Sequence, residues 1–211
     1  MTQRAGISVG EVVAELERLS LLLLSDKKWP SVAALVSGGP VRGSWWGSPR
    51  GAEIYAVSNQ LADRPDVLTV KLISAKVTYV QRRAWPAVYA IGTARAAWQM
   101  QGLPPLARKL LWVLDKEGEQ QTDWLAAVGG YESKALSAAR EELQKRLLCF
   151  SEEVHTDKGK HATRLKTWPH WAKGVGFAPA IKDLREARRE LEEIVEQINT
   201  EYGAKGKLPW Q

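Results

Sequence analysis

Apolar residues recur at three- and four-residue spacing near the start of the chain, which is the period of an amphipathic helix. The clearest run covers residues 8–25, where Ser8 and Glu11 also have the spacing of a capping box. Two shorter patterns predict helices over residues 31–37 and 50–62, separated by a stretch rich in glycine and proline. The first part of the chain is therefore predicted to be helical.

β-Branched residues dominate the positions that follow, and they predict an antiparallel hairpin. Its strands span residues 67–73 and 76–82 and are joined at Ser74 and Ala75. The pattern becomes helical again over residues 85–93. The first half thus has the order helix, short helix, helix and hairpin.

The second half of the chain has a clearer order of elements. Helices are predicted over residues 105–117, 123–128 and 132–147, and a hairpin is predicted with strands 148–154 and 161–167. Helix, short helix, longer helix and hairpin is the order of a winged helix-turn-helix domain, so this fold is predicted here. Because the first half has the same order, two winged helices in tandem would give both halves one architecture.

An apolar stripe also runs along a predicted final helix, residues 179–202. It favours two arrangements equally: docking on the rest of the chain, or pairing with a second copy as a homodimer. The best linker candidate is the Gly-Leu-Pro-Pro segment at 102–105. The predicted class is α+β, mainly helical, with three parts: a helical domain containing a hairpin over 1–103, a winged-helix domain over 104–173, and a long C-terminal helix and tail over 174–211.

The composition is typical of a protein with a buried core, and the charge favours an acidic partner. Hydrophobic residues make up 45% of the 211 residues, and the net charge is +6, which raises the local concentration of phosphate-bearing ligands. The longest aliphatic run, residues 21–24, is far shorter than the roughly 18 apolar residues of a membrane span. Because Cys149 is the single cysteine and no secretion signal is seen, the expected location is cytoplasmic, away from the membrane.

The helix over 132–147 is the candidate for contact with bases. In a helix-turn-helix protein the second helix of the motif lies in the major groove and presents polar side chains to base edges, while a basic hairpin follows the backbone or enters the minor groove. The predicted contacts with double-stranded DNA are Ser133, Lys134, Ser137, Arg140, Gln144, Lys158, Lys160, Arg164 and Lys166. The alternative is a solvated helix face and an edge hairpin whose lysines prevent aggregation.

Two features of the first half add further candidates. Its hairpin carries a secondary basic group, which consists of Lys71, Lys76, Arg82 and Arg83. The segment 42–50 combines two arginines with Trp45 and Trp46, a composition suited to clamping phosphate or stacking on bases. A packed loop that plugs the domain interface is the favoured alternative for this segment.

Signals for catalysis, metal binding and cofactor binding are poor. His155, His161, His170 and Cys149 lack the spacing of known metal-ligand sets, and the glycines lack the pattern of a phosphate-binding loop. The apolar neighbours of Cys149 predict an inert, buried thiol. No catalytic residue, no metal and no cofactor is therefore assigned.

The segment from Gly43 to Arg83, with its Pro65-Asp66-Val67-Leu68 and Lys71-Leu72 steps, resembles a group of bacterial proteins related to the AlkZ-type DNA glycosylases. The resemblance implies tandem winged helices and action on damaged duplex DNA. In those glycosylases a Gln-apolar-Gln or Gln-apolar-Asp motif positions the attacking water. Gln99-Met100-Gln101 matches its letters, but it lies beside the linker rather than in the N-terminal setting of that family.

Three functional hypotheses follow from the sequence. The leading one is binding of double-stranded DNA by the winged helix, without catalysis. The second is a DNA-repair enzyme of glycosylase type, which a basic cleft opening onto Gln99 and Gln101 would favour. The third is a protein-interaction module that dimerises through the C-terminal helix, which an acidic or apolar recognition face would favour.

Overall fold

The chain forms two compact units in the computed structural model, which describes residues 7–155, 161–180 and 182–211. The first unit combines Met1–Ala87 with Arg185–Gln211, and the second is Val88–Leu184. Each unit contains several helices and a three-stranded antiparallel sheet, so the α+β, mainly helical class is confirmed. The predicted domain boundaries after residues 103 and 173 stay predictions. They concern segments that fold separately, and a division into compact units does not show which segments fold separately.

The described part of the first unit begins with three α-helices and three strands. They are α1 (Val9–Leu19), β1 (Leu21–Leu23), α2 (Val32–Ser37), α3 (Gly51–Ala62), β2 (Val67–Lys71) and β3 (Val77–Gln81). The strands pair antiparallel in the order β1-β3-β2. Helix α3 buries Ile54, Val57, Ser58 and Leu61, as its sequence pattern predicts.

Helix α1 begins as predicted and ends earlier than predicted. The Ser8 hydroxyl accepts a hydrogen bond from the Glu11 amide, and the Glu11 carboxylate accepts one from the Ser8 amide at 2.7 Å, which is the capping box. The chain leaves the helix at Ser20, which has a left-handed backbone with φ 69°. A helix to residue 25 is therefore wrong, because the apolar run after Ser20 forms the fully buried strand β1. A continuous apolar run suits a buried strand as well as a helix.

The long final helix packs within the first unit. Helix α10 spans Leu184–Tyr202 and so begins five residues later than predicted. Its buried stripe is Ala187, Leu191, Val195 and Ile198. Arg18 on α1 forms an ion pair with Glu201 and donates a hydrogen bond to the Tyr202 hydroxyl at 2.7 Å. The predicted docking on the chain itself is therefore observed, and pairing with a second copy stays a prediction.

The second unit repeats the order of the first. Its elements after α4 (Trp85–Thr93), which crosses the boundary between the units, are α5 (Ala97–Met100), α6 (Pro105–Glu117), β4 (Gln120–Gln121), α7 (Thr122–Gly129), α8 (Ser133–Lys145), β5 (Phe150–His155), β6 (His161–Lys166) and α9 (Trp168–Gly174). The strands pair in the order β4-β6-β5. Each unit thus contains helix, strand, helix, helix and hairpin, with the third strand in the centre of the sheet.

The core of the second unit is built from α6, α8 and the strands. Leu110, Leu114, Leu136 and Leu143 are among its buried residues, together with Cys149. Within the described residues, no helix combines the length and the apolar character needed to cross a membrane.

Cys149 is buried, which confirms the sequence-based prediction for its thiol, and desolvation raises its pKa to about 12. Thiolate is the reactive form of cysteine, so we expect the native protein to resist a thiol-modifying reagent even at about pH 8–9. Addition of denaturant should give rapid stoichiometric labelling of this one thiol. Fast labelling of the native protein, measured by absorbance or intact mass, would contradict the burial of Cys149.

Candidate nucleic-acid interface

A tight turn between α7 and α8 brings two helices of the second unit together. Helix α7 ends at Gly129 and α8 begins at Ser133, so three residues form the connection. Gly130 has a left-handed backbone with φ 64°, a conformation that glycine adopts without steric cost. Two helices joined by a turn of three or four residues that contains glycine are typical of a helix-turn-helix motif.

The first turn of α8 presents two of the predicted contacts to solvent. Ser133 and Lys134 are exposed, whereas Leu136, Ala139 and Leu143 on the opposite side are buried. Lys134 has no ion pair with any described residue. The start of a helix carries a partial positive charge and unpaired amides, so it favours a negatively charged ligand.

Arg140 is turned inward instead of projecting from α8. Its Nη1 donates to the Thr163 hydroxyl on β6 at 2.6 Å, and its Nη2 donates to the Ser137 hydroxyl at 3.2 Å. All three side chains are half-buried. The guanidinium therefore joins α8 to the hairpin, and Ser137 helps to hold it there.

Gln144 lies one helical turn after Arg140, and its side chain also contacts the hairpin. Its amide nitrogen donates a hydrogen bond to the Ser151 hydroxyl on β5. Its amide oxygen is buried and has no hydrogen-bond partner among the described residues. Gln144 thus contacts the hairpin, and its side chain is only partly accessible.

Arg164 and Lys166 on β6 lie in a group of four charged side chains. Lys166 Nζ is 2.8 Å from Glu152 Oε1 and 3.6 Å from Glu119 Oε2. Arg164 Nη1 is 3.5 Å from Glu152 Oε1, and its Nε is 3.6 Å from Glu119 Oε1. The two carboxylates therefore balance the two cations.

Lys158 and Lys160 lie outside the described residues. The antiparallel register of β5 and β6 extends as far as the pair His155 and His161, and both lysines lie between these two positions in the sequence.

The secondary basic group of the first unit is largely engaged in contacts inside that unit. Lys76 pairs with Asp26, and the Arg82 guanidinium lies 5.2 Å from the centroid of the Trp85 ring. Arg83 donates to the Ser20 hydroxyl at 2.7 Å and to the Arg18 carbonyl at 3.0 Å. Lys71 on β2 is half-buried. Arg83 thus caps the carbonyl end of α1, a structural role that cations often have at this end of a helix.

Tyr55, which the sequence did not single out, joins Trp45 and Trp46 in a surface of the first unit that we call the aromatic row and define as these three residues. The Trp45 and Trp46 rings stack with centroids 4.2 Å apart, and the Trp46 and Tyr55 centroids are 5.1 Å apart. Trp46 is 61% exposed and Tyr55 44% exposed. Residues 42–50 are all exposed or half-buried, so this segment is not packed into the core of the first unit.

The face of α3 beside the aromatic row carries no charge at its exposed positions, which are Ala52, Tyr55, Ala56, Asn59, Gln60 and Ala62. Trp45 and Trp46 come close to Tyr55 because a short 3-10 turn, Trp45–Gly47, precedes α3. Two aromatic residues before a helix start, with a third one turn into the helix, were the available sequence signal.

Gln99 is fully buried, and its side-chain amide is engaged with the backbone. The amide oxygen accepts from the Ala96 amide at 2.8 Å, and the amide nitrogen donates to the carbonyls of Ile91 and Arg146 at 3.1 and 2.9 Å. Gln101 is exposed. The two glutamines therefore do not face a common groove, and Gln99 has no access to solvent for positioning a water.

Among the described residues, no three histidine, cysteine, aspartate or glutamate side chains lie close enough together to hold a metal ion. Comparison with known proteins found no match among protein-family models, curated proteins or solved structures.

Proposed function

We propose that the chain binds double-stranded DNA through its second unit, without catalysing a reaction, and that this unit is a winged helix. The order α6, β4, α7, α8, β5, β6 with sheet order β4-β6-β5 supports this interpretation. The first unit has the corresponding order α1, β1, α2, α3, β2, β3 with sheet order β1-β3-β2. The repetition supports two winged helices in tandem.

The observation that carries the proposal is the start of α8. The three-residue turn after α7 leaves Ser133 and Lys134 exposed at the positive end of this helix. The N-terminal residues of the recognition helix are those that contact base edges in helix-turn-helix proteins. A hydroxyl and an ammonium group at this position supply donors for base edges and phosphates.

A difference between the two units favours the second unit over the first for DNA contact. Residues 38–50 separate α2 from α3, so these helices lack the tight turn found between α7 and α8. The exposed positions of α3 are uncharged, whereas most of the affinity for duplex DNA comes from neutralising phosphates.

The remaining predicted contacts have different roles in this proposal. Arg140 and Gln144 position α8 against the hairpin, and Ser137 supports Arg140. Arg164 and Lys166 are paired with Glu119 and Glu152, so they can bind phosphate only if it displaces these carboxylates. Direct contact is therefore assigned to Ser133 and Lys134, and, from sequence alone, to Lys158 and Lys160.

Binding to a labelled DNA duplex, followed by fluorescence anisotropy at about 50 and 200 mM salt, tests this assignment. We expect affinity to fall steeply between the two salt concentrations. Lys134→Ala should weaken binding about tenfold, and the slope of log affinity against log salt should fall by about one, because one phosphate contact is lost. The double variant Lys158→Ala/Lys160→Ala should lower the slope by about two.

The matched controls are Lys205→Ala and the double variant Lys27→Ala/Lys28→Ala, which change the charge equally at exposed positions of the first unit. They should leave the slope within the error of the wild type. Absence of binding at the lower salt concentration would refute the proposal. Equal losses in the test and control variants would show that net charge, and not the α8 surface, attracts the DNA.

A further inference from the structure

We infer that the aromatic row and the adjoining face of α3 form a docking site for a proline-rich segment of another protein in the polyproline II conformation. The row belongs to the first unit, whereas the residues assigned to DNA belong to the second. It is a surface of three adjoining rings, two of which, those of Trp46 and Tyr55, are exposed. Tryptophan and tyrosine are the residues that most often supply binding energy at protein interfaces.

The charge of this surface argues against a nucleic-acid ligand. Residues 42–63 contain two arginines, Arg42 and Arg50, and two acidic residues, Glu53 and Asp63. Arg50 is engaged with Glu53 in an ion pair. Surfaces that stack on unpaired bases also follow the phosphate backbone with a groove of excess positive charge, and this segment has no net charge.

The exposed area argues against a second copy of the chain. A whole aromatic side chain offers about 150–250 Å², so the exposed fractions of 61% for Trp46 and 44% for Tyr55 leave roughly 160–260 Å² of exposed ring surface. A stable protein–protein interface needs about 800 Å² from each partner. The surface is therefore suited to a short peptide segment.

The polar atoms of the row indicate the backbone conformation of that segment. Within the described residues, the indole nitrogens of Trp45 and Trp46 and the Tyr55 hydroxyl have no hydrogen-bond partner, so they are free to donate to a ligand. A helical peptide uses its carbonyls internally, whereas a polyproline II segment has no internal hydrogen bonds and keeps its carbonyls available. Its proline rings pack on aromatic side chains, as in other domains that recognise proline-rich segments.

The test is binding of the full chain to a fluorescein-labelled oligoproline peptide of about ten residues, followed by anisotropy. We expect saturable binding with a Kd below about 1 mM. Trp46→Ala should weaken it at least about tenfold. Tyr55→Phe, which removes only the hydroxyl, should weaken it by about threefold, since one hydrogen bond to the ligand is lost.

Trp112→Ala is the matched control, because Trp112 in the second unit is similarly exposed, at 59%, and this variant should bind as the wild type does. Thermal unfolding verifies that each variant is folded, and Tyr55→Ala replaces Trp46→Ala if the latter is not. The proposal fails if the peptide does not saturate or if Trp112→Ala weakens binding as much as Trp46→Ala. It also fails if oligothymidine binds at the row more tightly than the peptide does.

Discussion

Replacing Gly92 by alanine is expected to lower the free energy of unfolding by about 3 kcal/mol. A Cβ atom at this position would lie 2.3 Å from Trp168 Nε1 and 2.4 Å from Cε2. The Trp168 indole is 1% exposed and donates a hydrogen bond to the Leu147 carbonyl at 2.6 Å. Because the ring is rigid and buried, relief of the clash would break this bond or move α4 away from α9.

The change in stability is measured by urea unfolding followed by circular dichroism. Gly174→Ala is the control, since Gly174 also lies in a helix of the second unit, but a Cβ there would meet no atom within 4 Å. The control should be neutral or stabilising by up to about 1 kcal/mol, because alanine favours the helix. A Gly92→Ala protein as stable as the wild type would show that the helix and the indole are not in this close contact.

Replacing Gln99 by methionine is expected to cost about 3 kcal/mol of unfolding free energy. Methionine keeps the approximate volume of the side chain but offers no partner to the Ala96 amide or to the carbonyls of Ile91 and Arg146. The Gln99 side chain is fully buried and its bond to the Ile91 carbonyl lies in the interior, so that carbonyl would be left without a partner.

Gln101→Met is the control for this substitution, because Gln101 is two residues away and exposed. Urea unfolding should separate the two variants by at least about 2 kcal/mol. Equal stability would mean that the Gln99 amide is not needed for the structure. It would reopen a role for Gln99 of the kind implied by the resemblance to glycosylases.

Several elements are predictable from the sequence because their ends carry local signals. Helix α6 begins at Pro105 and stops before Gly118, as predicted, since proline suits the first turn and glycine suits the end of a helix. The capping box at Ser8 sets the start of α1 in the same way. Local chemistry is sufficient in these cases.

The short strands are not predictable in the same way. β1 and β4 have three and two residues, which is too short for an alternating pattern to stand out. β1 exists because its residues pair with β3, nearly sixty positions later. Such a partner is invisible in a local window of sequence.

Side-chain orientation on α8 is predictable only in part. The spacing of Leu136, Ala139 and Leu143 correctly identifies the buried side and leaves Ser133 and Lys134 exposed. It also predicts Arg140 and Gln144 as outward, but both lie on flanks that the hairpin contacts. The helical period identifies the residues of α8 that face the core. It does not reveal which of the remaining residues are contacted by a neighbouring element such as the hairpin.

The first unit is assembled from both ends of the sequence, with the second unit encoded between them. During synthesis residues 88–183 of the second unit therefore leave the ribosome before α10, which supplies the last buried stripe of the first unit. Until that helix is synthesised, part of the apolar surface of residues 9–81 stays exposed to solvent. The unit that begins first in the sequence is thus the one that can complete its folding last, and closure over so long a stretch of chain is intrinsically slow.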